Sequence, residues 1–254
     1  MIRGILMMAL KDLKIRTRYK FIWINMALTP FFMIGPYVLG AKITDQKTLV
    51  NNVLVGTLLW YWLNQYFFGV GDGFAEERSE GTLVSVVLSP LPTPGFLFSK
   101  AADTFIMNAY LTVFTVIFFR LLGVDITIRW TMVALLVVSG VYISFFSIFF
   151  AALNLIYRST GVINYTVQMG LGLISGMVNP VRNFPVYLRI ISYAIPLTYL
   201  IEAGRIVLNE GDMERFFGRI AAVSAVSVLY LILGILMLRK AERIIRERGE
   251  WEQW

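Results

Sequence analysis

The sequence predicts an all-α, polytopic integral membrane protein with six transmembrane helices. Composition is the first observation behind this. Of 254 residues 57% are hydrophobic and only 15% charged, with a mean hydropathy of +0.69, whereas soluble domains are about 25% charged. Distribution is the second. The apolar residues fall in stretches of about 20, the length of a helix that crosses hydrocarbon. The third is that short polar segments separate those stretches. A soluble core of this size could not hide so much apolar side chain, so lipid is the solvent left for it.

Taken in order, residues 1–20 read as an amphipathic helix in the membrane interface. Ile2, Ile5, Leu6, Ala9, Leu10 and Leu13 recur at helical spacing, with Arg3, Lys11, Lys14, Arg16 and Arg18 between them. This basic stretch is too periodic for a cleaved leader, and the first span after it is expected to stay as an anchor. That span covers 21–41 and contains Pro30 and Pro36, which membrane helices tolerate when neighbours satisfy the freed carbonyls. The second, 53–74, is crowded with Trp60, Tyr61, Trp62, Tyr66 and Phe67. These fit an aromatic belt at the membrane surface or the lining for a flat substrate.

Residues 75–100 form a charged, non-spanning loop. The third span is 101–122, the fourth 130–156, the fifth 161–178 and the sixth 218–238. Between the last two, segment 179–217 holds an apolar run broken by Arg189 and Pro196. An arginine at mid-bilayer costs about 3 kcal/mol or more. Two short half-inserted helices, a re-entrant segment on the outer side, fit better than a full span. The tail, 239–254, is charged with a helical pattern and ends in Trp251 and Trp254. The chain is read as one domain, 1–254. Basic residues concentrate in 1–20, at Arg78, Lys100 and Arg158, and in the tail. This places both termini in the cytoplasm of a multi-pass cell-membrane protein.

The sequence has no cysteine and no histidine. That removes disulfides, thiol nucleophiles, Cys/His zinc sites and imidazole chemistry. The net charge of +7 is assigned to cytoplasmic segments and anionic lipid, not to nucleic acid. No G-x-x-x-x-G-K-[ST] phosphate loop, metal motif or nucleophile elbow occurs. The chain therefore binds no ATP in the usual way and is not expected to be an enzyme. It either moves something passively or takes its energy from a partner or an ion gradient. A gradient-driven carrier or channel, the alternative, needs acids near the bilayer midplane, and Asp72 and Asp103 lie near span ends. A lipid-modifying enzyme needs converging catalytic groups, and no such cluster falls within the spans.

The most informative stretch is EERSEGTLVSVVLSPLP, Glu76 to Pro92. An apolar helical turn, Val84–Leu88, follows Glu80-Gly81-Thr82-Leu83 and is stopped by Pro90 and Pro92. Such a helix can dock its apolar face in a partner's groove. This run strongly resembles the cytoplasmic motif of ABC-2 type transporter permeases, which carry Glu-Arg-x-x-Gly-Thr-Leu and then a Ser/Thr-Pro turn. Glu77, Arg78, Gly81, Thr82, Leu83 and Pro90 match it. The order of segments is similar too, including Asn179-Pro180, Pro185, Pro196 and Glu202 to Arg205 in the outer region.

The resemblance implies the transmembrane subunit of an ATP-binding cassette exporter, working as a homo- or heterodimer of permeases with two separate ATPase subunits. ATP and Mg would sit on those partners, and this chain would hold no cofactor or metal. The coupling helix would be Glu76 to Leu91, with Glu76, Glu77, Arg78, Glu80, Gly81, Thr82, Leu83 and Pro90 meeting the ATPase. Gly81 is expected to allow close helix approach. Family members move drugs, lipids and polysaccharides, so a hydrophobic, amphiphilic or lipid-linked substrate is implied.

Polar residues within spans usually face other helices or a cavity. By family analogy the first, second and fifth spans line the pathway, which selects Asn64, Gln65, Asn164 and Gln168. Gly172 and Gly176 form a small-xxx-small pair for close helix packing, within the subunit or between permeases.

Overall fold

A computed structural model describes residues 2–44, 46–89, 91–126, 130–157 and 161–248. All regular structure among them is helical. Helix α1 is Ile2–Arg18, α2 Lys20–Lys42 and α3 Lys47–Tyr66, which runs on through a wider π turn, Phe67–Gly71. Two short helices follow, α4 Gly73–Ser79 and α5 Leu83–Val87. Then come α6 Thr93–Leu121, α7 Trp130–Tyr157 and α8 Gly161–Ile174. The remainder is α9 Val186–Tyr193, α10 Pro196–Arg205 with a π turn to Glu210, and α11 Met213–Arg248. Pro90, Arg158, Trp251 and Trp254 lie outside the described residues.

A helix occupies each of the six predicted stretches. Four are long and apolar enough to cross a membrane alone: Lys20–Lys42, Thr93–Leu121, and the main parts of α7 and α11. The bent pair α9–α10 raises the count to five if it is one broken span. Helices α3 and α8 miss the criterion for different reasons. α8 is 14 residues, about 21 Å at 1.5 Å per residue, against about 30 Å of hydrocarbon. It stops at Gly176, whose φ of +83° is left-handed, so the predicted fifth span is shortened at its end. α3 carries Asn51, Asn52, Asn64 and Gln65. It tolerates them because it is the central helix. Fifteen of its 20 residues are buried, and α2, α6, α7, α8 and α10 surround it.

That central position corrects one expectation. Trp60, Tyr61, Trp62, Tyr66 and Phe67 are all buried in the core, not placed in a belt at the membrane surface. Each polar tip is matched internally where a partner is present. Trp60 Nε1 donates to the Gln168 carbonyl at 3.2 Å, and Trp62 Nε1 donates to Thr112 Oγ1 at 2.9 Å. Two glycines admit close packing around α3. A Cβ on Gly172 would lie 2.3 Å from the Trp60 ring, and one on Gly56 would lie 1.9 Å from the Met177 carbonyl oxygen.

Helix α1 turns both apolar and charged side chains toward the bundle. Ala9 and Asp12 are buried and Arg16 half-buried against α6, while Leu6, Met7 and Leu10 are exposed. Ile5, Met8 and Leu13 are half-buried, Arg3, Lys11, Lys14 and Arg18 are exposed, and Asp12 and Arg16 are the charged groups turned toward protein. At the other end of the bundle, α9 and α10 meet at 97°. Pro196, at the first position of α10, lacks the N–H that would continue α9. Arg189 folds back on its own loop and donates to the carbonyls of Arg182 (2.8 Å) and Phe184 (3.1 Å).

Candidate functional site

The motif segment folds as two short helices joined by a tight cap. Gly81 has φ +70° and closes α4 in a Schellman arrangement. Its N–H bonds the Arg78 carbonyl (3.1 Å), and the Thr82 N–H bonds the Glu77 carbonyl (2.9 Å). A Cβ on Gly81 would meet nothing within 4 Å. Within this chain the glycine is therefore needed for its conformation: only glycine takes this turn without penalty. Leu83, the first residue of α5, is buried in the core and anchors that helix. Val84 and Leu88 are 37% and 79% exposed, so α5 shows apolar tips outward. Glu80 is exposed beside them.

Glu76 and Glu77 point the other way, toward the root of α6. Lys100 Nζ lies 3.2 Å from Glu76 Oε2, 3.2 Å from Glu77 Oε1 and 3.6 Å from Asp12 Oδ2. One turn on, Asp103 Oδ2 pairs with Arg16 Nε at 3.1 Å. Glu77 also accepts from Thr82 Oγ1 at 2.5 Å. The Lys100, Glu77 and Asp103 side chains are no more than 9% exposed. Ions that have left water this far need good geometry and several partners, and here each has at least one.

Apolar contacts reinforce the junction. The Phe74 and Phe96 rings are 5.3 Å apart, and Lys100 Nζ sits 5.6 Å from the Phe96 ring centroid. Leu91 packs over Gly95 of α6, where a Cβ would lie 2.9 Å from it, and reaches Gly4 of α1. Three parts of the chain, α1, the α4–α5 loop and the start of α6, are thereby tied at one place.

Of the motif residues, Glu76, Glu77 and Thr82 are brought together here. Arg78, Gly81 and Leu83 shape the loop, and Pro90 lies outside the described residues. Sequence reasoning did not pick out Asp12, Arg16, Lys100 and Asp103 as a site. Two signals were present. Asp12 is the one acid in an otherwise basic and apolar helix, and Lys100 and Asp103 stand three apart on one face of an apolar helix.

The polar span residues do not share one cavity. Gln65 donates to the Tyr61 hydroxyl at 2.6 Å. It lines a cavity of about 220 Å³ together with Arg16, Glu76 and Thr104. Asn64 and Gln168 are buried in the bundle. Among the described residues, neither amide atom of Gln168 has a hydrogen-bond partner. Asn164 is on α8, but its side chain is outside the described set. Gly172 is used within the subunit, against Trp60, and Gly176 serves the left-handed turn, where a Cβ would meet Val181 at 2.8 Å. Among the described residues, no group of acids is arranged to hold a metal ion.

The described residues thus form a helical bundle whose first long loop is tied to the base of α6. Residues 5–209 match the ABC-2 type transporter family, and the chain belongs to it. It is the membrane subunit of an ABC transporter, the permease part and not the ATPase. No curated protein matches the chain.

Proposed function

We propose that this chain is an exporter permease in which the α4–α5 loop receives force from a separate ATP-binding cassette ATPase. In this reading α1, α4, α5 and both termini are cytoplasmic, six helices cross the membrane, and two permeases pair. The observation that carries it is the Lys100 junction. A push on the exposed tips of α5 reaches Glu76 and Glu77 through the short cap at Gly81, and from there reaches α6 through Lys100. Asp12 joins the same lysine, so α1 moves with the loop. ATP-driven closure of the ATPase pair would tilt α6 and open the bundle toward the outside. The cargo is hydrophobic, amphiphilic or lipid-linked, since the bundle offers apolar and aromatic surface and scattered amides. Asn64, Gln65, Asn164 and Gln168 are proposed to meet it.

The test uses the permease reconstituted with the ATPase subunit that co-purifies with it. Val84→Asp with Leu88→Asp changes two exposed side chains, so the fold should survive. Substrate-stimulated ATP hydrolysis and ATPase co-purification should both fall. A doubly substituted protein that couples as well as the parent removes α5 as the docking element.

A further inference from the structure

At the end of the bundle opposite the Lys100 junction lies a cavity of about 620 Å³. That is within the usual range for small-ligand sites, about 300–1,000 Å³. Its walls come from the start of α3, the turn after α8, the α9–α10 elbow and the first turns of α11. Four arginines line it, Arg182, Arg205, Arg215 and Arg219, against a single carboxylate, Glu202.

The charges are not balanced within the cavity. Arg219 Nε pairs with Glu202 Oε2 at 3.1 Å, and Arg215 pairs with Asp212 at 3.2 Å. Arg205 is buried, yet its partners are all neutral. It donates to the carbonyls of Gly176 (2.7 Å), Met177 (3.2 Å) and Asn52 (3.3 Å). Its Nη1 has no hydrogen bond, and Arg182 has no ion pair, among the described residues. Glu202 acts on it only from beyond hydrogen-bond distance, and a guanidinium kept from water with no anion in direct contact is costly. The fold nonetheless places Arg205 in the same cavity as three other cations.

We propose that this cavity is a binding site for a phosphate-bearing anion. Guanidinium groups match phosphate oxygens two at a time. A lining with three more positive than negative side chains suits a multiply charged phosphate better than a single carboxylate. Arg205 and Arg182 supply the free donors, and Arg219, stacked 5.8 Å from the Tyr193 ring, is held ready at the edge. The same chemistry serves a lipid phosphate entering from the bilayer and a soluble phosphate ester.

The experiment measures binding to the full chain in nanodiscs. Pyrophosphate is titrated against discs of phosphatidylcholine alone, and separate discs carry phosphatidic acid, whose retention is read by native mass spectrometry. Arg182→Gln with Arg219→Gln is the principal variant, because both side chains reach solvent. Losing charge-assisted bonds should weaken binding by about tenfold or more. Arg205→Lys, which keeps the charge but not the fork, should give an intermediate loss. Pyrophosphate binding identifies a soluble phosphate site, and retention of phosphatidic acid alone identifies a lipid headgroup site. If the parent chain binds neither, or if the double variant binds both unchanged, the proposal is overturned. Binding is read without ATP, so the outcome is independent of how α5 couples.

Discussion

Replacing Lys100 by methionine tests the junction most directly. At an effective dielectric of about 20, opposite charges 3.2 Å apart attract by about 5 kcal/mol. Most of that is offset by the cost of taking the ions out of water. Glu76, 49% exposed, adds little because water screens it. Glu77 and Asp12, at 6% and 11%, cannot be solvated again when the lysine is gone. Truncating one member of such a buried set costs about 3–5 kcal/mol. For a chain of this size that lowers the unfolding midpoint on the order of 10 °C.

The assay is thermal unfolding of detergent-purified protein, for Lys100→Met, Glu77→Gln and the double variant. Glutamine keeps an acceptor for the Thr82 hydroxyl but sheds the stranded charge. The double variant should therefore recover about 1–3 kcal/mol relative to additivity. A Lys100→Met protein as stable as the parent, or strictly additive losses, would refute the argument that Lys100 is what holds the loop to α6.

The other predictions concern packing, polarity and pH. Gly56→Ala drives a methyl into the Met177 carbonyl and should cost about 3 kcal/mol. Gly40→Ala, open on all sides, should be neutral or stabilising by up to about 1 kcal/mol; comparing their unfolding midpoints checks both. Gln168→Met removes two unpaired buried polar atoms and should stabilise by about 1–3 kcal/mol. Transport should fall in the same variant if the amide meets cargo. Gly81→Ala forces φ +70° on a residue with a Cβ and should cost about 1–2 kcal/mol, with Gly81→Asn milder; hydrogen exchange at Thr82 reads this out. Lys47 beside Asp125 holds that carboxyl below its usual value. The pair's small contribution is present above the ordinary carboxylate range and is lost as pH falls through the lowered value. Asp125→Asn should flatten that acid-side limb in a stability–pH profile.

Hydrophobic stretches located the helices well, because lipid demands long apolar runs and closes off other backbone choices. Their boundaries were less legible. Helix α6 begins at Thr93, eight residues before the apolar run, since Lys100 can enter the helix once three acids neutralise it. The elbow at Pro196 was readable from Arg189 and Pro196. The place of the aromatics was not. A tryptophan reads the same in sequence whether it faces a lipid headgroup or, like Trp60, a glycine on α8. The loop motif gave Glu76 and Glu77, but their partner Lys100 and its neighbour Asp12 are 24 and 88 positions from Glu76 and Lys100 respectively. Only folding brings those charges within reach.

The helix most enclosed by its neighbours is also the one least able to enter hydrocarbon unaided. On the six-span reading, α3 exposes Asn51, Asn64 and Gln65 to acyl chains until α6, α7 and α8 have been made. During synthesis it must therefore be escorted, first by α2 as a hairpin and then by later arrivals. A chain cut short after residue 66 should be a poor membrane protein and a good substrate for quality-control proteases. Assembly order, not only final packing, is written into that one helix.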